Sequence, residues 1–192
     1  MPDRPAGPNP EHDAELGATL LAQARAAIAT RLGLQAPDVP DHPALHAPGA
    51  SFVTLTRHGQ LRGCIGHLEP VQALGPDVRE NALAAAFRDP RFAPLSTAEW
   101  PGIAVEVSVL GPATFTHCPT EEDCLRQVVP FEDGVILTSG SCCATFLPQV
   151  WEQLPEPQEF IAHLLQKAGL PVALWPSDMQ LGRYRVKKFK EA

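Results

Sequence analysis

Leu61-Arg-Gly-Cys-Ile-Gly-His-Leu-Glu-Pro70 brings a cation, a thiol, two glycines, an imidazole and a carboxylate into ten residues. It follows Ser51–Arg57, which reads as a strand. His58-Gly59 between them reads as a two-residue hairpin turn, because glycine takes the positive φ such turns need. With Gln60 to His67 as the return strand, side chains alternate between faces. Arg62 and Cys64 then share one face, and Leu61 and Ile65 share the other, with His67 opposite to Cys64. Positions two apart along a strand lie roughly 6.5–7 Å apart at Cα, and an arginine at that range favours the thiolate form of a cysteine. Gly63 and Gly66 carry no side chain, so another backbone or a ligand can come close. Residue type leaves Cys64 open as a small buried hydrophobe or as a nucleophile.

The 192 residues suffice for one large domain or two small lobes. Hydrophobic residues make up 44% and charged residues 19%, a balance that supports a packed core. A net charge of -7 and a pI near 5.4 argue against a broad nucleic-acid surface. The one basic stretch, Arg183 to Lys190, is short and reads as a solvated strand face. No apolar run approaches the roughly 20 residues of a membrane helix, and Met1-Pro-Asp-Arg-Pro lacks the pattern of a secretory signal. The five cysteines, at 64, 118, 124, 142 and 143, match no metal knuckle. Cys142 and Cys143 are adjacent, a spacing that strains a bridge between them. Reduced thiols and a cytoplasmic location are the expectation.

In chain order, residues 1–10 are Pro-rich and read as a disordered tail. Leu16, Leu20, Ala24, Ile28 and Leu32 fall four apart and predict a helix over about 11–32, ended by Gly33. Residues 34–50 hold four prolines and read as a loop. After Pro70 the chain turns helical through Phe87, with Pro76 near the start. Asn81 stands among alanines there, where asparagine is mildly unfavourable, which points to a specific partner. Pro90 turns Asp89 away from helix, and Asp89 with Arg91 reads as a latch onto local backbone. Gly102–Leu110 alternates Ile103, Val105, Val107 and Val109 against Glu106 and Ser108. On that polar face Glu106 is a candidate acid or base if it faces a cleft. Thr120 caps a short helix to about Val129. A second hairpin, Gly134–Ser139 and Cys142–Leu147, precedes a helix from Pro157 to Gly169 with Phe160, Ile161, Leu164 and Leu165 on its apolar stripe. Arg183–Phe189 reads as the last strand.

The two hairpins resemble each other. Val53-Thr-Leu-Thr, a turn and Arg62-Gly-Cys-Ile line up with Val135-Ile-Leu-Thr, a turn and Cys143-Ala-Thr-Phe, with one gap. Thr145 then takes the place of Cys64. This predicts an α+β fold: antiparallel sheet with flanking helices, built from two related strand-strand-helix-strand units, about 51–110 and 131–189, related by a pseudo-twofold.

The motifs also carry a family resemblance. Leu61-Arg-Gly-Cys-Ile-Gly, Glu69-Pro70, Asn81-Ala82, Ala85-Ala-Phe87 with Asp89-Pro-Arg-Phe92, Val105-Glu-Val-Ser-Val-Leu110, Asp133-Gly-Val-Ile-Leu137 and Ala144-Thr-Phe-Leu-Pro-Gln-Val-Trp151 together resemble the AMMECR domain family, the A component of the bacterial AmmeMemoRadiSam system. The match runs from about Glu15 to Phe189. It implies a single α+β domain over 11–192 in two lobes, and protein partners: a Memo-like protein and a radical SAM protein. It also implies that Arg-Gly-Cys-Ile-Gly is a functional centre. The sequence departs from the family at His67, where a small or hydroxyl residue is common, and at Cys142-Cys143, where basic residues are expected.

Two functions follow from these readings. In the first, the chain is an enzyme or enzyme component acting on a small molecule. Cys64 is then nucleophile or thiol ligand, Arg62 activates it, and Glu69 or Glu106 is the acid or base. Gly63, Gly66, Glu69, Asn81, Arg91 and Thr145 line the ligand site. In the second, the chain is a non-catalytic scaffold for its two partners. No phosphate-binding glycine loop and no iron–sulfur spacing occurs, and the sequence names no cofactor. His42, His46, His117 and Cys118 are the residues from which a metal site would have to be drawn.

Overall fold

A computed structural model describes residues 10–191. The predicted tail falls on residues 1–9, outside the described residues, and on Pro10, which opens the first helix. The described elements are helices α1 (Pro10–Arg31), α2 (Leu74–Phe87), α3 (Glu121–Leu125) and α4 (Pro157–Lys167). The strands are β1 (Pro48–Arg57), β2 (Gln60–Gly66), β3 (Gln72–Ala73), β4 (Ile103–Leu110), β5 (Thr114–His117), β6 (Gly134–Ser139), β7 (Cys142–Phe146), β8 (Gln180–Tyr184) and β9 (Val186–Lys190). The fold is α+β with antiparallel hairpins, as the periodicities predict. Contacts divide it into two units, one running to Val109 and resuming at Lys187, the other spanning Leu110–Val186.

In the first unit the sheet order is β2-β1-β4-β9, with β3 paired to β1. Val53 and Leu55 of β1 and Val105 and Val107 of β4 are fully buried. They pack with Leu20, Ala24 and Ile28 of α1 and Val78, Ala82 and Ala85 of α2. Each large aliphatic side chain taken from water stabilises by roughly 1.5–3 kcal/mol. The small residues of α2 let this helix lie close to the sheet. His58 (φ 51) and Gly59 (φ 76) both take left-handed backbone, as a tight β1–β2 turn requires.

In the second unit the order is β5-β8-β6-β7. Trp151 and Phe160 stack at 3.6 Å between centroids in its core, and the Trp151 indole N–H donates to the Asp133 carbonyl at 2.8 Å. In both units a hairpin's first strand pairs with the strand that follows the helix: β1 with β4, β6 with β8.

Three expectations need correction. Arg183–Phe189 is two strands, β8 and β9, in different sheets. The break falls at Arg185, whose carbonyl accepts the Gly111 N–H at 2.8 Å. The loop at 34–50 contains a 3-10 turn at Pro43–Leu45 and the start of β1. The third correction concerns β2. Thr54 pairs with Cys64 and Leu55 with Gly63, but Thr56 pairs with Leu61. Arg62 is the extra residue of a bulge, and a bulge reverses the side-chain parity beyond it. Leu61, 44% exposed, therefore shares a face with Cys64 rather than with Ile65.

Candidate functional site

The edge position of β2 determines the surroundings of Cys64. An edge strand leaves alternate N–H and C=O groups without a sheet partner. At Cys64 the segment after α2 supplies both partners. The Asp89 carboxylate accepts the Cys64 N–H at 2.9 Å, and Arg91 Nη2 donates to the Cys64 carbonyl at 3.2 Å. Asp89 and Arg91 are joined by Nε–Oδ1 and Nη2–Oδ2 hydrogen bonds of 2.9 and 2.7 Å. Asp89 is buried, and hydrogen bonding to Arg91 holds its carboxyl far below the usual range against the opposing effect of burial. The expected latch is present, and it grips β2 as well as its own turn.

Cys64 is half-buried, and its sulfur accepts the Thr54 hydroxyl at 3.3 Å. Arg62 does not turn toward it. Its guanidinium donates to Glu99 at 2.9 and 3.3 Å and to the Ala93 carbonyl at 2.8 Å, while Nη1 is buried without a partner. Glu99 is lowered to about 2, first by Arg62 and then by the N–H and hydroxyl of Ser96. Activation of Cys64 by Arg62 is thus corrected: Arg91 is the guanidinium beside Cys64. The Phe92 ring lies 5.7 Å from one guanidinium and 5.5 Å from the other.

The two glycines are also filled from within. A Cβ at Gly63 would collide with the Ala85 carbonyl of α2, and one at Gly66 with Phe52 and the Ser51 carbonyl. The close approach expected of a ligand at these positions is made by the protein's own chain.

Glu106 sits between Val105 and Val107, which enter the core, so it lies on the sheet face that carries Thr54 and Cys64. It stands on β4, two strand spacings or about 10 Å from β2, and has no side-chain partner among the described residues. Glu69 is exposed and likewise unbonded there. Thr145, in the second unit, is buried with its hydroxyl 3.1 Å from that of Tyr184. Burial pushes the Tyr184 phenol up, with the Thr145 hydrogen bond acting against it.

Asn81 has the partners its position predicts, in a cluster on the α2 side of the sheet. Its amide donates to the Ser51 carbonyl at 3.0 Å and to Asp77 at 3.0 Å. Asp77, fully buried, also accepts the Ser51 N–H at 2.8 Å, the Ser51 hydroxyl at 2.7 Å and His67 Nδ1 at 2.5 Å. The sequence singles out Asp89 as a latch onto its own turn but not as the acceptor for the Cys64 N–H, and it does not single out Asp77. The available signal was a second polar residue, Asp77, one turn before Asn81 on the apolar face of an alanine-rich helix.

The named histidines are occupied locally. His42 Nδ1 accepts the Ala44 N–H at 3.1 Å, His46 meets Asp41 at 2.7 Å, and His117 bonds the Ser177 carbonyl at 2.8 Å. Among the described residues, no three His, Cys, Asp or Glu side chains are grouped to hold a metal, and no helix is long and apolar enough to cross a membrane.

Comparison with known proteins agrees with this architecture. A family model described as AMMECR1 matches residues 21–189. The chain is 38% identical over 141 residues to the protein Mbar_A1807 of Methanosarcina barkeri, covering 73% of this chain and 69% of that one. It is 33% identical over 181 residues to TV1384 of Thermoplasma volcanium, covering 92% and 87%. Its structure is similar to the crystal structure of the uncharacterized protein PH0010 from Pyrococcus horikoshii. The TM-score is 0.74 at 31% identity, over 93% of this chain and 91% of that one.

Proposed function

This chain belongs to the AMMECR1 family, and on that premise we propose that it is an enzyme or enzyme component that handles a small molecule through Cys64. One observation carries the reading. The Cys64 backbone is fixed on its open edge by Asp89 and Arg91, while the residue stays partly exposed. A reactive group held by a rigid strand and a bonded supporting shell is preorganised for chemistry. In this reading Cys64 is the nucleophile or thiol ligand. Arg91, whose side chain is 52% exposed, supplies the positive charge for a thiolate or a substrate anion. Glu106, on the same sheet face, is the acid or base, reaching the thiol region through the substrate or a water. The reaction runs in the cytoplasm with a Memo-like protein and a radical SAM protein as partners.

A second reading has its own support. Arg62 is bound to Glu99 and Ala93, and Gly63 and Gly66 are packed against α2 and Phe52. These favour the motif as architecture, in a scaffold for the same partners. The test is Cys64→Ser in the chain combined with both partners, with products from a small-molecule extract followed by mass spectrometry. Loss of product with partner binding and thermal stability intact supports the thiol reading. Retention of both product and binding ends it in favour of the scaffold.

A further inference from the structure

His67 follows β2 directly and lies on the α2 side of the sheet, opposite to Cys64. Its N–H donates to the Ser51 carbonyl at 3.0 Å, which fixes it across from Ser51. Its ring Nδ1 lies 2.5 Å from Asp77 Oδ1. The other carboxylate oxygen, Oδ2, accepts the Ser51 N–H, the Ser51 hydroxyl and the Asn81 amide. The Ser51 backbone N–H, a donor of fixed direction, and the Ser51 hydroxyl and Asn81 amide on Oδ2 keep Asp77 an acceptor, so the proton between it and His67 rests on Nδ1. A neutral His67 then carries its lone pair on Nε2. That atom makes no hydrogen bond among the described residues and is not buried, and the side chain is 35% exposed. The Ser51 hydroxyl is committed to Asp77, so this is not a serine nucleophile with its base. It is a histidine with one nitrogen tied to a buried carboxylate and the other open, the orientation that carboxylates impose on histidines acting as bases. Asn81 Oδ1, buried and without a donor, is the one unfilled acceptor of the cluster.

We propose that His67 is a second reactive centre, independent of Cys64, that accepts a proton from a water or hydroxyl group of a small ligand at the α2 side of β2. In this step the ligand O–H bond breaks and its electron pair stays on oxygen. The proton goes to Nε2, and the imidazolium formed is balanced by Asp77 through Nδ1–H. Asp77 is the positioning residue, held in turn by Ser51 and Asn81.

Two measurements test this. In the unaltered chain at alkaline pH, nitrogen NMR of the imidazole rings should show the Nδ1–H tautomer at His67. The Nε2–H tautomer overturns the proposal. Carbethoxylation by diethyl pyrocarbonate, which needs a free nitrogen lone pair, is then followed residue by residue. His67 should react at least as fast as exposed His58 and His163. Asp77→Asn, whose amide can donate to Nδ1 and move the proton to Nε2, should slow His67 at least tenfold and leave the other two unchanged. An unreactive His67, or one whose rate ignores Asp77→Asn in a folded chain, overturns it. If that variant does not fold, the tautomer and the rate in the unaltered chain decide.

Discussion

The Asp89 carboxylate accepts the backbone N–H of Cys64 across 25 residues of sequence. The contact exists because α2 lies over β2 and ends at Phe87, two residues short of Asp89. Replacing Asp89 by alanine removes three functions at once: the acceptor for Cys64, the partner of Arg91 and the brace of the turn. Removing the acceptor of a bonded N–H costs about 1–3 kcal/mol, and the ion pair adds little to this because the Arg91 side chain is 52% exposed. Asp89→Ala should lose stability of that order, and in the folded fraction the Cys64 amide should exchange with solvent faster than that of Ile65. An Asp89→Ala chain as stable as the parent would remove the latch from the account.

Gly63→Ala should destabilise more than its size suggests. The added methyl meets a helix carbonyl, and backbone cannot turn aside as a side chain can. Overpacking of this kind costs about 1–3 kcal/mol or more. Leu61→Ala, at an exposed position of the same strand, should stay within about 0.5 kcal/mol. Urea denaturation of the two variants separates them.

Acid should weaken the first unit over a defined window. Asp89 and Glu99 both have folded-state values below their ordinary ones, Glu99 at about 2. Such groups contribute stability above their unfolded values of about 4, and the contribution disappears as pH falls through the folded values. The thermal midpoint should drop between about pH 4 and pH 2, and Glu99→Gln should flatten that slope. With Glu99 partly exposed, its share is about 1–2 kcal/mol, or roughly 3–6 °C.

Tyr184→Phe should cost about 1–2 kcal/mol, because it leaves the buried Thr145 hydroxyl and the Phe146 carbonyl without the phenol. A smaller loss in Tyr184→Phe/Thr145→Val than the sum of the single changes would show that the two hydroxyls act as a pair.

Local pattern made much of this legible. Ile103, Val105 and Val107 of β4 and the stripe of α4 are buried as their periods predict, while Val109 is only partly buried. The one-residue gap between the aligned hairpins falls at the β1–β2 bulge. Thr145 faces Ile136 as Cys64 faces Thr54, at aligned positions. That same bulge is why alternation assigns Leu61 to the wrong face, since alternation presumes an unbroken ladder. The partners of Cys64 and His67 were hidden for another reason. Asp89 and Asp77 reach them only through the packing of α2, which no spacing along the chain encodes. His67 stood out as a departure from the family pattern, but its carboxylate partner lay ten residues on, inside the helix.

The proposed function requires Cys64 to be an accessible thiol on a fixed strand. Alkylation by iodoacetamide, read at each cysteine by mass spectrometry in the folded chain, tests it with internal references. Cys143 is exposed, whereas Cys118 and Cys124 are fully buried, with burial pushing both thiols up. Cys64 should react at a rate comparable to Cys143 or faster, and Asp89→Ala should alter the Cys64 rate alone. A Cys64 that stays unmodified with Cys118 and Cys124 until the chain unfolds would rule out the thiol function and leave Arg-Gly-Cys-Ile-Gly as architecture.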